Sequence, residues 1–207
     1  MADTDVEKRR KALLLLFLLL IDDAFDHLSQ SVRAYLIGSA NIHVTSARFV
    51  AALLGAHTTS AYYGRQAAGV TAPLGQIDHA FAQAVMAGQS QYVTRLVTAL
   101  ADGEYTLTED KELPGDLRHR LLLYALRLRG TALEAMTLAF PLDTMIERRL
   151  GTQVERHCDV CPDLVGFYHA GEMTQWPGDG STPCLSFCDC RLFVDGAEMF
   201  PFPEDLP

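Results

Sequence analysis

The chain has 207 residues, 49% of them hydrophobic and 21% charged, enough for one sizeable core or for a helical body with a small appendage. Its formal net charge of −9 is carried almost wholly by the end: residues 151–207 hold Arg156 and Arg191 against ten acids, whereas residues 1–150 hold 15 Lys/Arg against 16 Asp/Glu. Sequence-independent nucleic-acid binding rests on Lys and Arg neutralising phosphates, so such a tail argues against a nucleic-acid-binding finger.

Proline divides the chain in the same way. None precedes Pro73, only Pro73, Pro114 and Pro141 fall in the first 150 residues, and six follow from Pro162 onward. An interior proline costs a helix about 3 kcal/mol, so the body, residues 1–150, reads as helical and residues 151–207 as a cysteine-rich tail that is not. The first helix is capped by Thr4 with Glu7 three residues on, carries Leu18, Ile21, Phe25, Leu28, Val32, Tyr35 and Leu36 on one face, and ends at Gly38. Its run from Ala12 to Ile21 is apolar on every side. It is therefore expected at the centre of its own bundle or against a partner. With fewer than ~20 apolar residues it is too short to span a bilayer, and it runs into Asp22-Asp23 without the small-residue cleavage site of a signal peptide.

A second helix is expected to start after Thr45-Ser46 and to run through Phe49, Leu53, Leu54, Tyr62 and Tyr63 towards Gly69. A third spans Ile77 to Leu100, with Phe81, Val85, Tyr92, Leu96 and Leu100 as its core stripe. After a polar loop from Glu104 to Glu112, a fourth runs from Leu117 to Phe140. Its Arg118, Arg120, Arg127 and Arg129 read as a solvated face or as partners of nearby acids, with a functional basic patch as the alternative. Leu142 to Leu150 reads as a short further helix. Turn chemistry follows in Trp176-Pro177-Gly178-Asp179-Gly180-Ser181, and residues 190–196 alternate as one short strand would. The expected fold is mainly α: four to five helices, some long, with a small turn-rich knuckle carrying one or two short strands.

All five cysteines lie in the tail, as Cys158-x2-Cys161 and Cys184-x3-Cys188-x-Cys190. Thiolates two or three residues apart on tight turns can close around one tetrahedral zinc, and in a reduced chain that reading is preferred to two disulfides with a cysteine left over. A closed site takes four ligands, so one of Cys158, Cys161, Cys184, Cys188 and Cys190 is surplus. His157 and His169 are the histidines near them in sequence. The zinc-deaminase pattern H-x-E…P-C-x-x-C is approached by His169-Ala170-Gly171-Glu172 and Pro183-Cys184-x3-Cys188, but each half is one residue too long. No H-E-x-x-H pair and no phosphate-binding loop occurs, so His27, His43, His57, His79 and His119 read as surface or satisfied core residues.

Arg148-Arg149-Leu150-Gly151, His157-Cys158-x2-Cys161, Pro177-Gly178-Asp179-Gly180 and Cys184-x3-Cys188-x-Cys190 running into a strand resemble the C-terminal module of tailed-bacteriophage minor head proteins of the head-morphogenesis (Mu F-like) group. Gln91 to Leu96 and Arg118 to Ala125 sit where such proteins place comparable helices. The group commonly ends in His-Pro-x-Cys-Arg-Cys. Cys184 stands roughly where that histidine would, which leaves the fourth ligand open between Cys184, Cys188 and Cys190. The resemblance implies a non-catalytic virion structural protein made in the bacterial cytoplasm, built into the head near the portal vertex or neck, with structural Zn2+, and partnered by portal, capsid or neck proteins and by its own copies, without direct sequence-specific nucleic-acid contact. A helical interaction module with a zinc tail and a zinc hydrolase or deaminase are the other readings.

Overall fold

The structure, a computed structural model, describes residues 2–152, 158–182 and 185–199. It is mainly helical, as expected, with a small antiparallel sheet of four short strands where one or two were expected. Five helices come first: α1 (Ala2–Leu36), α2 (Ile42–Ala67), α3 (Gln76–Ala101), α4 (Gly115–Leu126) and α5 (Leu128–Leu138). Four short strands follow among the described residues: β1 (Met145–Arg149), β2 (Gly166–His169), β3 (Arg191–Val194) and β4 (Ala197–Glu198), in the order β2-β1-β3-β4 with every neighbour antiparallel.

Helix α1 already begins before Thr4, and the side chains of Thr4 and Glu7 lie outside the described residues. It stops where expected. Gly38 takes a φ of 75°, a left-handed conformation that glycine adopts without a Cβ penalty, while the amides of Gly38 and Ser39 donate back to the Tyr35 and Ala34 carbonyls. Its buried face is Leu13, Phe17, Ile21, Ala24, Leu28 and Val32, which turns the helix slightly from the expected stripe; Leu18, Phe25, Tyr35 and Leu36 are half-buried. The apolar run is not central in the bundle. Leu15 and Leu19 are each 64% exposed and Leu16 46%, because the other described elements pack against one side of α1 only.

Helix α2 starts three residues earlier than Thr45, because Asn41 caps it: its side-chain oxygen accepts the Val44 amide at 2.9 Å. In α3 the buried line is Asp78, Ala82, Gln89, Val93, Leu96 and Leu100, one position round from the expected stripe, which leaves Phe81, Val85 and Tyr92 half-buried. Asp78 is drawn inward by a bidentate pair with Arg65 of α2, at 2.7 and 2.6 Å, while it also accepts the Gly75 amide at the helix start. The expected fourth helix is two, α4 and α5, divided at Arg127. Helices α2 and α5 pack with little between them: a Cβ at Gly64 would fall 2.1 Å from the Ala132 carbonyl oxygen, and Ser60 donates to the Leu128 carbonyl at 2.6 Å.

The expected helix over 142–150 is instead β1, the strand that pairs with both β2 and β3. Pro141 ends the helical stretch, and from Met145 exposure alternates, with Ile146 and Arg148 inward and Met145 and Arg149 outward, the period of a strand. The sheet therefore takes in residues from before position 150.

The core has two apolar parts. One joins α1 to α4 around Leu28, Phe49, Leu53, Leu96, Leu117 and Leu121. The other runs from Phe17 and Ile21 of α1 through Leu128, Leu133 and Met136 of α5 to Ile146, Met173, Leu192 and Met199, so trunk and sheet share a packed interior. No helix among the described residues is long and apolar enough to cross a membrane.

Candidate metal centre

Two turns and one strand entry bring the cysteines together. Cys158 and Cys161 flank a tight turn in which the Cys161 amide donates to the Cys158 carbonyl at 3.0 Å; Pro162 then opens a single 3-10 turn. Cys188 and Cys190 lie on the segment that enters β3, beside β1. The sulfurs of Cys161, Cys188 and Cys190 all lie within 4.8 Å of one another, and all three residues are buried. Cys161 Sγ is 3.5 Å from Cys158 Sγ and 3.9 Å from Cys188 Sγ. A tetrahedron with metal–sulfur bonds of about 2.3 Å sets its sulfurs about 3.8 Å apart, so these separations suit a shared ion better than they suit a disulfide. No disulfide joins any of the four. This buried cluster could hold a metal ion. Cys184, the fifth expected ligand, and His157, one of the two nearby histidines, lie outside the described residues.

The second feature of the site is a pair of guanidinium groups, both 2% exposed. Arg129, on α5, donates through its two terminal nitrogens to the carbonyls of Cys188 and Cys190, the latter at 2.8 Å. Arg148, on β1, donates to the Gln175 carbonyl at 3.1 Å. Its Nε and Nη2 have no nitrogen or oxygen acceptor among the described residues; burial works against its charge, and the neighbouring Cys190, Cys188 and Cys161 sulfurs more than offset that. Burying a cation is costly unless an opposite charge accompanies it. Two buried guanidiniums beside the sulfur cluster would balance the net −2 of four thiolates on one divalent ion. Arg118, Arg120, Arg127 and Arg129 were expected on a solvated face or as partners of nearby acids; Arg129 is wholly enclosed, with Asp189 and Glu198 among the charges that act on it, and Arg127 is half-buried beside the Tyr92 ring. The helical spacing of those arginines concealed this, because what encloses Arg129 is a segment 59 residues further along.

The thiols respond to that environment. A hydrogen bond from Cys190, opposed by burial and reinforced by Arg129 and Arg148, brings the Cys188 thiol down to about 5, while the same hydrogen bond and burial raise Cys190. The two thiols thus share a proton, and a bound metal ion would take its place.

Glycines make the docking possible. A Cβ on Gly130, next to Arg129, would fall 2.4 Å from the Asp179 amide nitrogen, and one on Gly151 would fall 2.1 Å from the carbonyl of Asp189, between Cys188 and Cys190. The loop that meets Gly130 is the expected turn. Asp179 accepts the Trp176 amide at 2.8 Å and the Ser181 amide at 2.7 Å, and Gly178 and Gly180 adopt φ of 82° and 78°.

Of the near-deaminase pattern, Cys188 belongs to the sulfur cluster, Pro183 and Cys184 lie outside the described residues, and His169 and Glu172 are engaged elsewhere. His169 is exposed and bonds the Asp143 carbonyl, and Glu172 folds back to accept the His169 amide at 3.2 Å. His57 is a core residue, fixed between Thr131 at 2.7 Å and Gln89 at 3.2 Å. Burial, then the charge of Arg127, lowers it to about 3, so it stays neutral. A separate crevice between α3, α5 and the Trp176–Asp179 loop holds Glu134, which burial and then Asp179 push up to about 7. No protein-family profile, curated protein or solved structure matches the chain.

Proposed function

We propose that the protein is a non-catalytic assembly component whose cysteine knuckle is closed by one structural zinc ion bound by Cys158, Cys161, Cys188 and Cys190. The observation that carries this reading is the convergence of buried sulfurs between two buried guanidiniums, Arg129 and Arg148. Four thiolates fill a tetrahedral zinc and leave no position for the water that a hydrolase or deaminase activates. The ion would stabilise rather than react. Its sulfurs tie the 158–164 turn to the entry of β3, and Arg129 ties that entry to α5. The resemblance of the cysteine module extends the reading to a setting: the head or neck of a tailed phage, with other virion proteins and further copies of the chain as partners.

Metal analysis of the purified protein tests the chemistry. One zinc per chain is expected, and its cobalt-substituted form should show the charge-transfer and d–d bands of a four-thiolate tetrahedral site. A five-coordinate spectrum, or no bound metal, would overturn it. Mass spectrometry of purified virions tests the setting separately, since absence from particles would end the phage reading and leave the zinc site standing.

A further inference from the structure

The exposed side of α1 has an order that the interior packing does not use. At 3.6 residues per turn, Lys8, Lys11, Ala12, Leu15, Leu16, Leu19, Asp22, Asp23 and Asp26 fall within about 140° of the helix circumference, opposite the buried line Leu13–Phe17–Ile21–Ala24–Leu28. Every one of the nine is exposed. They are sorted by charge along the axis: basic at Lys8 and Lys11, apolar at Ala12, Leu15, Leu16 and Leu19, acidic at Asp22, Asp23 and Asp26. A cluster of exposed leucines on an otherwise charged helix marks a contact surface.

We infer that this face pairs with the same face of a second copy of the chain, the two α1 helices running antiparallel about a two-fold axis. The sorting of charge selects this occupant. A two-fold axis near the level of Phe17 sets Leu15 against Leu19 of the partner subunit, Lys11 against Asp23 of the partner subunit and Lys8 against Asp26 of the partner subunit, and by symmetry every contact occurs twice. A parallel pair would instead oppose lysine to lysine and aspartate to aspartate. A lipid surface would be met by basic residues along the whole polar flank, as in interfacial helices, whereas here half of the stripe ends in three aspartates. The contact runs roughly 27 Å, from about 18 residues at 1.5 Å each, and that length places the dimer at the weak, concentration-dependent end of specific interfaces. The pairing deepens the assembly reading and is independent of the metal: its failure would leave the zinc site untouched, and loss of zinc would leave the stripe in place.

Sedimentation of the zinc-loaded full chain from 1 to about 200 µM tests it. The wild type is expected to dimerise with concentration, more weakly in high salt. Leu15→Gln with Leu19→Gln alters only exposed side chains and should weaken dimerisation by at least about 100-fold with an unchanged circular dichroism spectrum. Charge exchange gives the sharper result. Lys8→Glu with Lys11→Glu should weaken self-association about ten- to hundred-fold, as should Asp23→Lys with Asp26→Lys, because each variant opposes like charges at both ends. Mixed one to one, the two variants should form a heterodimer of about wild-type affinity. A monomer throughout the range, a dimer indifferent to the leucine and charge changes, or a monomeric chain that binds anionic phosphatidylglycerol vesicles through Leu15 and Leu19 would overturn the inference.

Discussion

The trunk and the knuckle are held together by different physics. In the trunk, buried leucines and phenylalanines on five helices contribute about 1.5–3 kcal/mol each through loss of water contact, so stability is spread over many side chains. Around the sulfurs the cluster is three buried cysteines with Cys158 packed against them, and the neighbouring segments are turns and strands of two to five residues. A small region with so little apolar interior concentrates its stability in a few bonds. The contrast teaches where each region is vulnerable: the trunk yields gradually to substitution, and the knuckle yields at once to loss of a metal or of a counter-charge.

Removing the metal should have the largest effect. A structural zinc site contributes on the order of 10 kcal/mol to the segment that it closes. Chelation, or Cys161→Ser, is expected to abolish protection of amide hydrogens in residues 158–194 while the helical circular dichroism stays close to that of the native chain. If trunk helicity collapses along with the knuckle, the two regions are one cooperative unit and the contrast is lost.

Arg129→Met comes next. It removes the fork that holds the Cys188 and Cys190 carbonyls and leaves thiolates short of one buried counter-ion, a loss worth about 3–5 kcal/mol. A competitive chelator titration should show weakened zinc affinity. Arg129→Lys should remain impaired, because one ammonium cannot reproduce two parallel donors in a fixed plane. Full recovery by lysine would mean that charge alone matters here.

The two regions also differ in how far the sequence discloses them. Helix α3 was legible to within a residue at each end because Pro73, Gly75 and Asp102-Gly103 punctuate it, and α1 ended at Gly38 for the same reason. The pairing of Cys158 with Cys161 was legible because the two flank one short turn, whereas their meeting with Cys188 spans 27 residues. What stayed hidden depends on contacts between distant segments. Met145–Arg149 carries a methionine, a glutamate and two arginines that suit a helix locally, and pairing with residues 166–169 and 191–193 makes it a strand. Arg129 carried the pattern of a solvated face until the segment at 188–190 closed over it. Asn41 was a readable cap that the Thr45-Ser46 pair obscured.

Acid should act on the trunk through His57. The imidazole of the unfolded chain accepts a proton near pH 6.5, but the folded one resists protonation down to about 3, chiefly because it is buried. The unfolded state therefore takes up the proton first, and stability falls as pH drops from about 6.5 towards 3, by about 3 kcal/mol between pH 6.5 and 4. Urea titrations of the metal-free chain at several pH values should show that slope, and His57→Gln should flatten it. An unchanged slope in the variant would assign the acid sensitivity to other groups.

Asn41→Ala is the smallest change and the most useful for separating the regions. It deletes one N-cap bond at the start of α2, worth about 1 kcal/mol, far in sequence from any cysteine. Measured with zinc bound and again after chelation, the loss should be equal in both states, because effects at independent sites add. A loss that appears only in the zinc-bound chain would mean that the metal sets the stability of α2 from a distance, through the interior shared by α1, α5 and the sheet. Equality within about 0.5 kcal/mol would mean that the shared interior joins trunk and knuckle without making either depend on how the other is held.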